Sequence, residues 1–260
     1  MNPRLELVDA RVGFGGVRAV EKLSFSVAAG QIRGLIGPNG AGKTTVINAI
    51  TGVVPLLSGE IRLDGERISG LPAHVIGRMG VGRTFQHVEA FGEMTVLENV
   101  LIGAGRSSRV GLLSCALALP RAARAEKAMR NQALTTLEVF GLLDVVNERA
   151  SELPFGLLKR MDLARSMVAS PKLLLMDEPT SGMSESEADS AIAAARLLAT
   201  QHGTTLLVVE HNMRVMMSLA QHITVMQFGS LIAAGTPAQI QANQTVIDAY
   251  LGEEVSDAVH

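Results

Sequence analysis

The densest chemistry in the sequence is the run Gly37-Pro38-Asn39-Gly40-Ala41-Gly42-Lys43-Thr44-Thr45. It satisfies the pattern of a glycine-rich loop that wraps a polyphosphate. The glycines let successive backbone N–H groups point inward, Lys43 sets an ammonium beside the β- and γ-phosphates, and the Thr44 hydroxyl can ligate Mg²⁺. Two more stretches carry groups suited to the same phosphates. Asp177 and Glu178 follow the apolar run Leu173-Leu174-Leu175-Met176, so a buried strand would deliver both acids at its carboxyl end, where open parallel sheets bind ligands. Asp177 can hold Mg²⁺ directly or through water, and Glu178 can orient or deprotonate an attacking water. His211 repeats that geometry after the run Thr204 to Val209 and could reach a γ-phosphate, although a lone histidine is more often structural. Gln86, behind Arg83-Thr84-Phe85, offers an amide to a metal or a water. Phe14, beside Gly15-Gly16, either stacks on an adenine face or plugs an edge of the core.

These groups need particular elements to hold them. Ile32 to Ile36 is short and apolar enough for a buried strand before the glycine loop, and Thr45 to Thr51 reads as a helix ended by Gly52. That helix would aim its positive end at the phosphates. The strand-loop-helix context argues against a glycine-rich turn that binds nothing. Leu5 to Val8 and Phe25 to Val27 read as strands, and the alternation from Gly59 to Glu66 around Asp64-Gly65 predicts a hairpin in the same antiparallel layer. From Thr95, which makes a capping box with Glu98, the pattern turns helical through Arg121 to Phe140 and again from Phe155 to Val168. Arg121, Arg124, Lys127 and Arg130 lie at helical spacings and read as a solvated face. Ser184 and Glu187 cap a later helix, a strand pair surrounds Phe228-Gly229-Ser230, and the tail ends in helices over Thr236 to Ala242 and Thr245 to Leu251. The pattern predicts an α/β core, residues 1–87 and 161–260, with a helical subdomain at 88–160, all within one cassette spanning 1–260.

Composition narrows the function classes. With 260 residues, 47% of them hydrophobic, the chain has ample material for a core. A formal net charge of -2 provides no cationic field for nucleic acid. A single cysteine, Cys115, cannot form an internal disulfide and fits a reducing compartment, so the cytoplasm is expected. No apolar run approaches the ~20 residues that span a bilayer, the Leu112 to Leu119 run included, and the start lacks a signal-peptide layout. A mean hydropathy of +0.27 fits either a large core or apolar surface covered by a partner.

Taken together, Gly37 to Thr45, Gln86, Leu153-Pro154-Phe155-Gly156-Leu157, Met176-Asp177-Glu178-Pro179 and His211 stand in an order and spacing that resembles the ATP-binding subunits of ABC transporters. The resemblance covers nearly the whole chain. It implies a P-loop NTPase of the ABC ATPase type, with a RecA-like core, an antiparallel β layer and an inserted helical subdomain. Two such cassettes would close head to tail over two ATP molecules, with Mg²⁺ at each. By the same resemblance Phe14 is the adenine-stacking residue and Gln86 lies in the loop that senses the membrane partner. His211 is the switch residue, and Pro154, Phe155 and Gly156 meet the partner's nucleotide.

Within that family the chain is most similar to LivG-type subunits of branched-chain amino acid importers. Thr84-Phe85-Gln86-His87 with Met94-Thr95-Val96, the Leu112 to Pro120 insert with Arg121 to Glu126, the Leu-Pro-aromatic-Gly run, and the ending Val246 to Gly252 carry this. Such systems pair two ATPases, sister or identical chains, with two permeases and an external solute-binding protein. The chain would then sit peripherally on the cytoplasmic face of the inner membrane. The resemblance also has departures. The usual family signature is Leu-Ser-Gly-Gly-Gln, and here Pro154 removes a hydroxyl from it; proline suits a helix start, so backbone donors from Gly156 onward remain. Leu157 replaces the glutamine, and Ser184 stands where Asp or Asn is usual. Three other functions compete: an importer ATPase for an amide, urea or aromatic acid, a soluble ABC ATPase, and a P-loop kinase of small metabolites. The kinase leaves Gln86, the Gly156 helix and His211 without a purpose.

Overall fold

The computed structural model of the chain describes residues 3–84, 89–105 and 120–257. The expectations for Phe85, Gln86, His87, the Leu112 to Leu119 run and Cys115 lie outside the described residues. Two compact units emerge, one from Met1–Arg83, Lys172–Pro179 and Gly203–His260, the other from Thr84–Pro171 and Thr180–His202. The helical unit is thus broader than the 88–160 stretch expected. It takes in the helices over Phe155–Met167 and Glu185–His202, whose apolar faces pack on one another.

The first unit holds two sheets. Strands β1 (Leu5–Phe14) and β2 (Val17–Val27) form a hairpin longer than the sequence predicts, turning through Gly15-Gly16. With β4 (Ser58–Leu63) and β5 (Glu66–Arg67) they build a sheet of order β2-β1-β4-β5, antiparallel throughout. The Asp64-Gly65 turn between β4 and β5 has positive φ at both residues, 51° and 84°, as a two-residue hairpin of this kind requires.

The second sheet has the order β10-β9-β3-β8-β7-β6, formed by β3 (Ile32–Ile36), β6 (Val81–Arg83), β7 (Leu173–Asp177), β8 (Thr205–Val209), β9 (His222–Gln227) and β10 (Ser230–Gly235). All neighbours run parallel except the β9–β10 hairpin. Strands β7 and β8 are buried at every residue, as expected of strands covered on both faces. Helix α1 (Lys43–Ile50) follows β3 directly, and α2 (Ala73–Arg78) precedes β6. Leu35, Val46, Ile47, Ile50, Leu173, Leu175, Leu207 and Val209 belong to one buried cluster that also includes the inward residues of β1, β2 and β4.

In the helical unit, α3 (Val96–Gly105) starts at the predicted box: Glu98 Oε2 accepts from the Thr95 N–H at 2.8 Å. Buried Asn99 ties down the preceding loop by donating to Phe91, Met94 and Thr95 carbonyls. Helix α4 (Pro120–Val139) and α5 (Phe155–Met167) pack on α3. Gly103 permits this, since a Cβ there would lie 2.1 Å from the Arg165 carbonyl. Arg124, Lys127 and Arg130 are exposed on α4, the solvated stripe the sequence predicts. Helix α6 (Glu185–His202) completes this unit, while α7 (Met213–Leu219), α8 (Pro237–Gln241) and α9 (Gln244–Asp257) belong to the first. A full capping box by Thr236 and Gln239 opens α8. No helix among the described residues is long and apolar enough to cross a membrane.

Buried Asp162 in α5 yields a test of the helical unit. Desolvation pushes its carboxyl up from the ordinary value, and the adjoining Arg165 guanidinium opposes that rise. Arg165→Met strips the buried carboxylate of this partner, a change that typically costs about 3–5 kcal/mol. The penalty is full above the carboxylate's raised pKa and fades as falling pH protonates it. Denaturant titrations should therefore show a large loss of stability at neutral pH and a smaller gap from wild type in mildly acidic buffer.

Candidate functional site

The site is built where parallel strands end. Leu35 of β3 and Asp177 of β7 both pair with Val209 of β8, so the glycine loop, Asp177-Glu178 and Glu210-His211 leave the sheet at one edge. Gly42 precedes α1 with φ 97°, and no side chain caps this helix. The first N–H groups of α1 therefore face the loop as a natural anion site. At Gly37 and Gly42 a Cβ would sit 2.0 Å from the Met226 carbonyl oxygen and 2.4 Å from that of Ala19, so the loop is shaped by glycines that nothing else can replace. Lys43 is buried, and its Nζ donates to the Gly37 and Pro38 carbonyls at 2.6 and 2.8 Å. Thr44 is exposed in the first turn of α1, with Thr45 half-buried beside it; Asn39 and Gly40 are exposed, and Ala41 is buried.

Asp177 is almost fully buried. Desolvation pushes its carboxyl up, Glu178 adds to the rise, and Arg83 and Lys43 counter it. Glu178 adopts φ 51°, a left-handed backbone, while its N–H still donates to the Val209 carbonyl at 2.8 Å. His211 Nε2 lies 3.0 Å from Glu178 Oε1, so the two residues that the sequence places at separate strand ends meet as a pair. Phe14, at the end of β1, is 52% exposed, so it does not plug the core. Gln86 lies outside the described residues.

In the helical unit Pro154 occupies the N-cap of α5 with an extended backbone, so the proline does stand at the helix start, without a capping side chain. Phe155 is half-exposed, and its ring lies 5.8 Å from Lys159 Nζ. Gly156 is buried. The sequence reading missed what lies against it: a Cβ on Gly156 would be 2.1 Å from Glu187 Oε1. The Glu187 carboxylate is held there by the Ser184 N–H and hydroxyl at 2.9 and 2.7 Å, and these hydrogen bonds lower its pKa. Ser184 thus does the capping that Asp or Asn would do elsewhere. An anion of the chain's own already stands beside the α5 N-terminus, a fact visible only once α5 and α6 are packed.

The donor set suits nucleotide and metal. A buried lysine and an uncapped helix start match a polyphosphate, and the chemistry of the Asp177 carboxylate and the Thr44 hydroxyl, both oxygen donors, suits a hard cation. No group of three or more His, Cys, Asp or Glu among the described residues could hold a metal alone.

A parallel sheet with a glycine loop between a central strand and a helix, joined to an antiparallel layer, is a P-loop NTPase fold. The ABC transporter family model matches residues 20–181. A second one, described as branched-chain amino acid ATP-binding cassette transporter, matches residues 230–256. Over 251 residues the chain is 42% identical to the high-affinity branched-chain amino acid transport ATP-binding protein BraF of Pseudomonas aeruginosa, covering 96% of this chain and 98% of that one. The corresponding protein LivG of Escherichia coli K12 matches at 42% identity with the same coverage, 96% and 98%. Among solved structures, an ATP-binding cassette of an ABC transporter in its ADP conformation superposes with a TM-score of 0.83 at 30% identity, covering 97% of this chain and 100% of that one. A nucleotide-free cassette gives 0.81 at 30%, covering 95% and 98%. The chain belongs to the ABC transporter family, as an ATP-hydrolysing subunit. Subunits of this kind work with membrane permease components and dimerise.

The Gly156–Glu187 contact generates a prediction. Gly156→Asp would press a second carboxylate on Glu187 and push it off Ser184. The expected result is a lower melting temperature for the single variant, partly restored when Glu187→Ala is added. A Gly156→Asp chain that melts as wild type would mean that the two groups do not touch in solution.

Proposed function

We propose that the chain energises an importer for branched-chain or related amino acids, binding Mg·ATP at the edge of its parallel sheet. The observation that carries the solute class is the pairing of near full-length similarity to BraF and LivG with the match of the C-terminal residues 230–256 to the branched-chain family. In this reading the backbone from Gly37 to Gly42, with Lys43, Thr44 and Thr45, holds the phosphates, and Phe14 stacks on the base. Thr44, Asp177 and Gln86 would hold Mg²⁺, which would supply positive charge to offset that of the phosphates. Glu178 accepts the proton of the attacking water, and His211, paired with it, orients that carboxylate toward the γ-phosphate. Pro154, Phe155 and Gly156 present the start of α5 to the nucleotide of a second cassette, sister or identical. Two permease subunits and an external solute-binding protein complete the transporter, with this chain on the cytoplasmic face of the inner membrane. Solute specificity then resides in those other subunits, consistent with a site here whose residues are suited to a nucleotide.

Two variants separate the roles. Glu178→Gln should keep ATP binding and slow hydrolysis by about 100- to 10,000-fold, the usual contribution of a general base. In vesicles holding the complete transporter, leucine uptake should stop with it. Turnover near wild type would place the water-positioning group elsewhere. Lys43→Ala should instead fail at the binding step, because the lost ammonium faced the phosphates themselves. Direct titration with ATP is the check, and unchanged affinity would count against the proposed loop contacts.

A further inference from the structure

Arg83 has no assigned part in the site, yet it touches two of the elements that build it. It is the last residue of β6, paired in register with Leu175, two residues before Asp177. Its Nη1 donates to Asn48 Oδ1 at 2.6 Å, and its Nη2 lies 3.5 Å from Asp177 Oδ2. The side chain is 19% exposed and that of Asp177 only 2%, so the pair is largely withdrawn from water. The two contacts differ in kind. The short one, to Asn48, anchors the guanidinium on α1, five residues beyond Lys43. The longer one exceeds the ~2.7–2.9 Å of a charge-assisted hydrogen bond, so Arg83 faces the carboxylate without clamping it.

We propose that Arg83 is a positioning residue for Asp177: held by Asn48, it presents the Asp177 carboxylate to Mg²⁺ and so links the strand that supplies this ligand to the helix that supplies Thr44. The inference rests on the reading of Asp177 as a Mg²⁺ ligand. Mg²⁺ demands near-ideal octahedral geometry, and here its protein ligands would come from different elements, Thr44 and Asp177 among them, so their mutual placement decides the affinity. A guanidinium is charged at every relevant pH and forks rigidly, which lets one group bond Asn48 while facing Asp177. A lysine could supply the charge but not the fork. The like charge of Arg83 and a metal opposes binding, but the loose 3.5 Å approach lets the carboxylate turn from one cation to the other.

The test compares the affinity of the full chain for a fluorescent ATP analogue with and without Mg²⁺, so that it reads binding rather than turnover. Partners that orient a metal ligand typically contribute about 10- to 100-fold to metal affinity, and Arg83→Gln is expected to lose about tenfold of the Mg²⁺-dependent gain. Its Mg²⁺-free affinity should stay as in wild type, and Arg83→Lys should recover part of the loss. An equal fall with and without the metal would make Arg83 merely structural, and a tighter response to Mg²⁺ would make it a competitor; either overturns the proposal. Asn48→Ala covers the case in which Arg83→Gln does not fold, because it keeps both charges and removes only the anchor. Its Mg²⁺-dependent gain should also fall, and an unchanged gain overturns the proposal. Asp177→Asn keeps the two readings apart. If wild type gains nothing from Mg²⁺, or Asp177→Asn keeps the gain, the metal assignment itself fails. If those controls behave and Arg83→Gln matches wild type, only the role of Arg83 falls.

Discussion

Because Leu35 and Asp177 pair with the same residue, Val209, three strand ends share one row of the parallel ladder. The rest of the site depends on that row. A slip of one residue between β7 and β8 would turn Asp177 to the opposite face of the sheet, since side chains alternate along a strand. The all-buried pattern of β7 and β8 guards against such a slip less than alternation would, because both faces are apolar. The loops supply the missing specification: the Glu178 N–H extends the ladder onto the Val209 carbonyl, and at the other end the Thr205 N–H donates to the Lys172 carbonyl. Hydrogen bonds at both ends thus fix a register that side-chain packing alone leaves loose.

What the sequence made legible was local. The glycine loop, its strand and its helix lie within 20 residues of one another, and their chemistry is written in residue types that have few other uses. The caps at Thr95 and Ser184 are legible for the same reason, since each is a four-residue rule, whereas at Thr236 the pattern marks the helix start without its capping box. The contacts that needed tertiary structure were not. Nothing local in the sequence marks the bond between Arg83 and Asn48, and Glu187 reads as half of a cap rather than as a carboxylate beside Gly156. The long reach of β1 and β2 is not legible either, because register shifts around Asp9 and Lys22, both at positive φ, interrupt the apolar alternation that marks a strand, although Ala10, Val12, Val20 and Leu23 are buried. They pair all the same, since a sheet in which β1 already bonds β4 extends the ladder at low cost.

The site concentrates buried charge, and burial of charge opposes folding unless partners compensate. Asp177 shows the compensation at work: desolvation raises its pKa, and the cations Arg83 and Lys43 pull it back. Lys43 in turn leans on the Gly37 and Pro38 carbonyls. Such an arrangement adds little net stability, since an apolar set of the same shape would cost less to bury. A chain that retains it gains a cluster of charges already stripped of water. A polyphosphate and a cation entering this edge would meet groups whose desolvation was completed during folding, so more of their attraction is expressed as binding.

Glu178 carries the same logic into the backbone. A residue without glycine's freedom at φ 51° sits roughly 1–2 kcal/mol above a right-handed conformation. Were the chain to continue extended past Asp177, the next side chain would point to the opposite face, because strand side chains alternate. The left-handed turn breaks that alternation immediately after the ladder ends, and the Glu178 carboxylate comes within 3.0 Å of His211. Ladder bond and side-chain contact together offset the strain, as the surroundings must wherever an unfavourable backbone persists. The consequence is directional. Asp177 stays buried in the sheet's last row while Glu178, one residue later, reaches the group beside β8, so two adjacent acids stand in two environments, one desolvated and one facing a histidine. Adjacent carboxylates with separated surroundings can take separate tasks, which a regular strand end would have denied them.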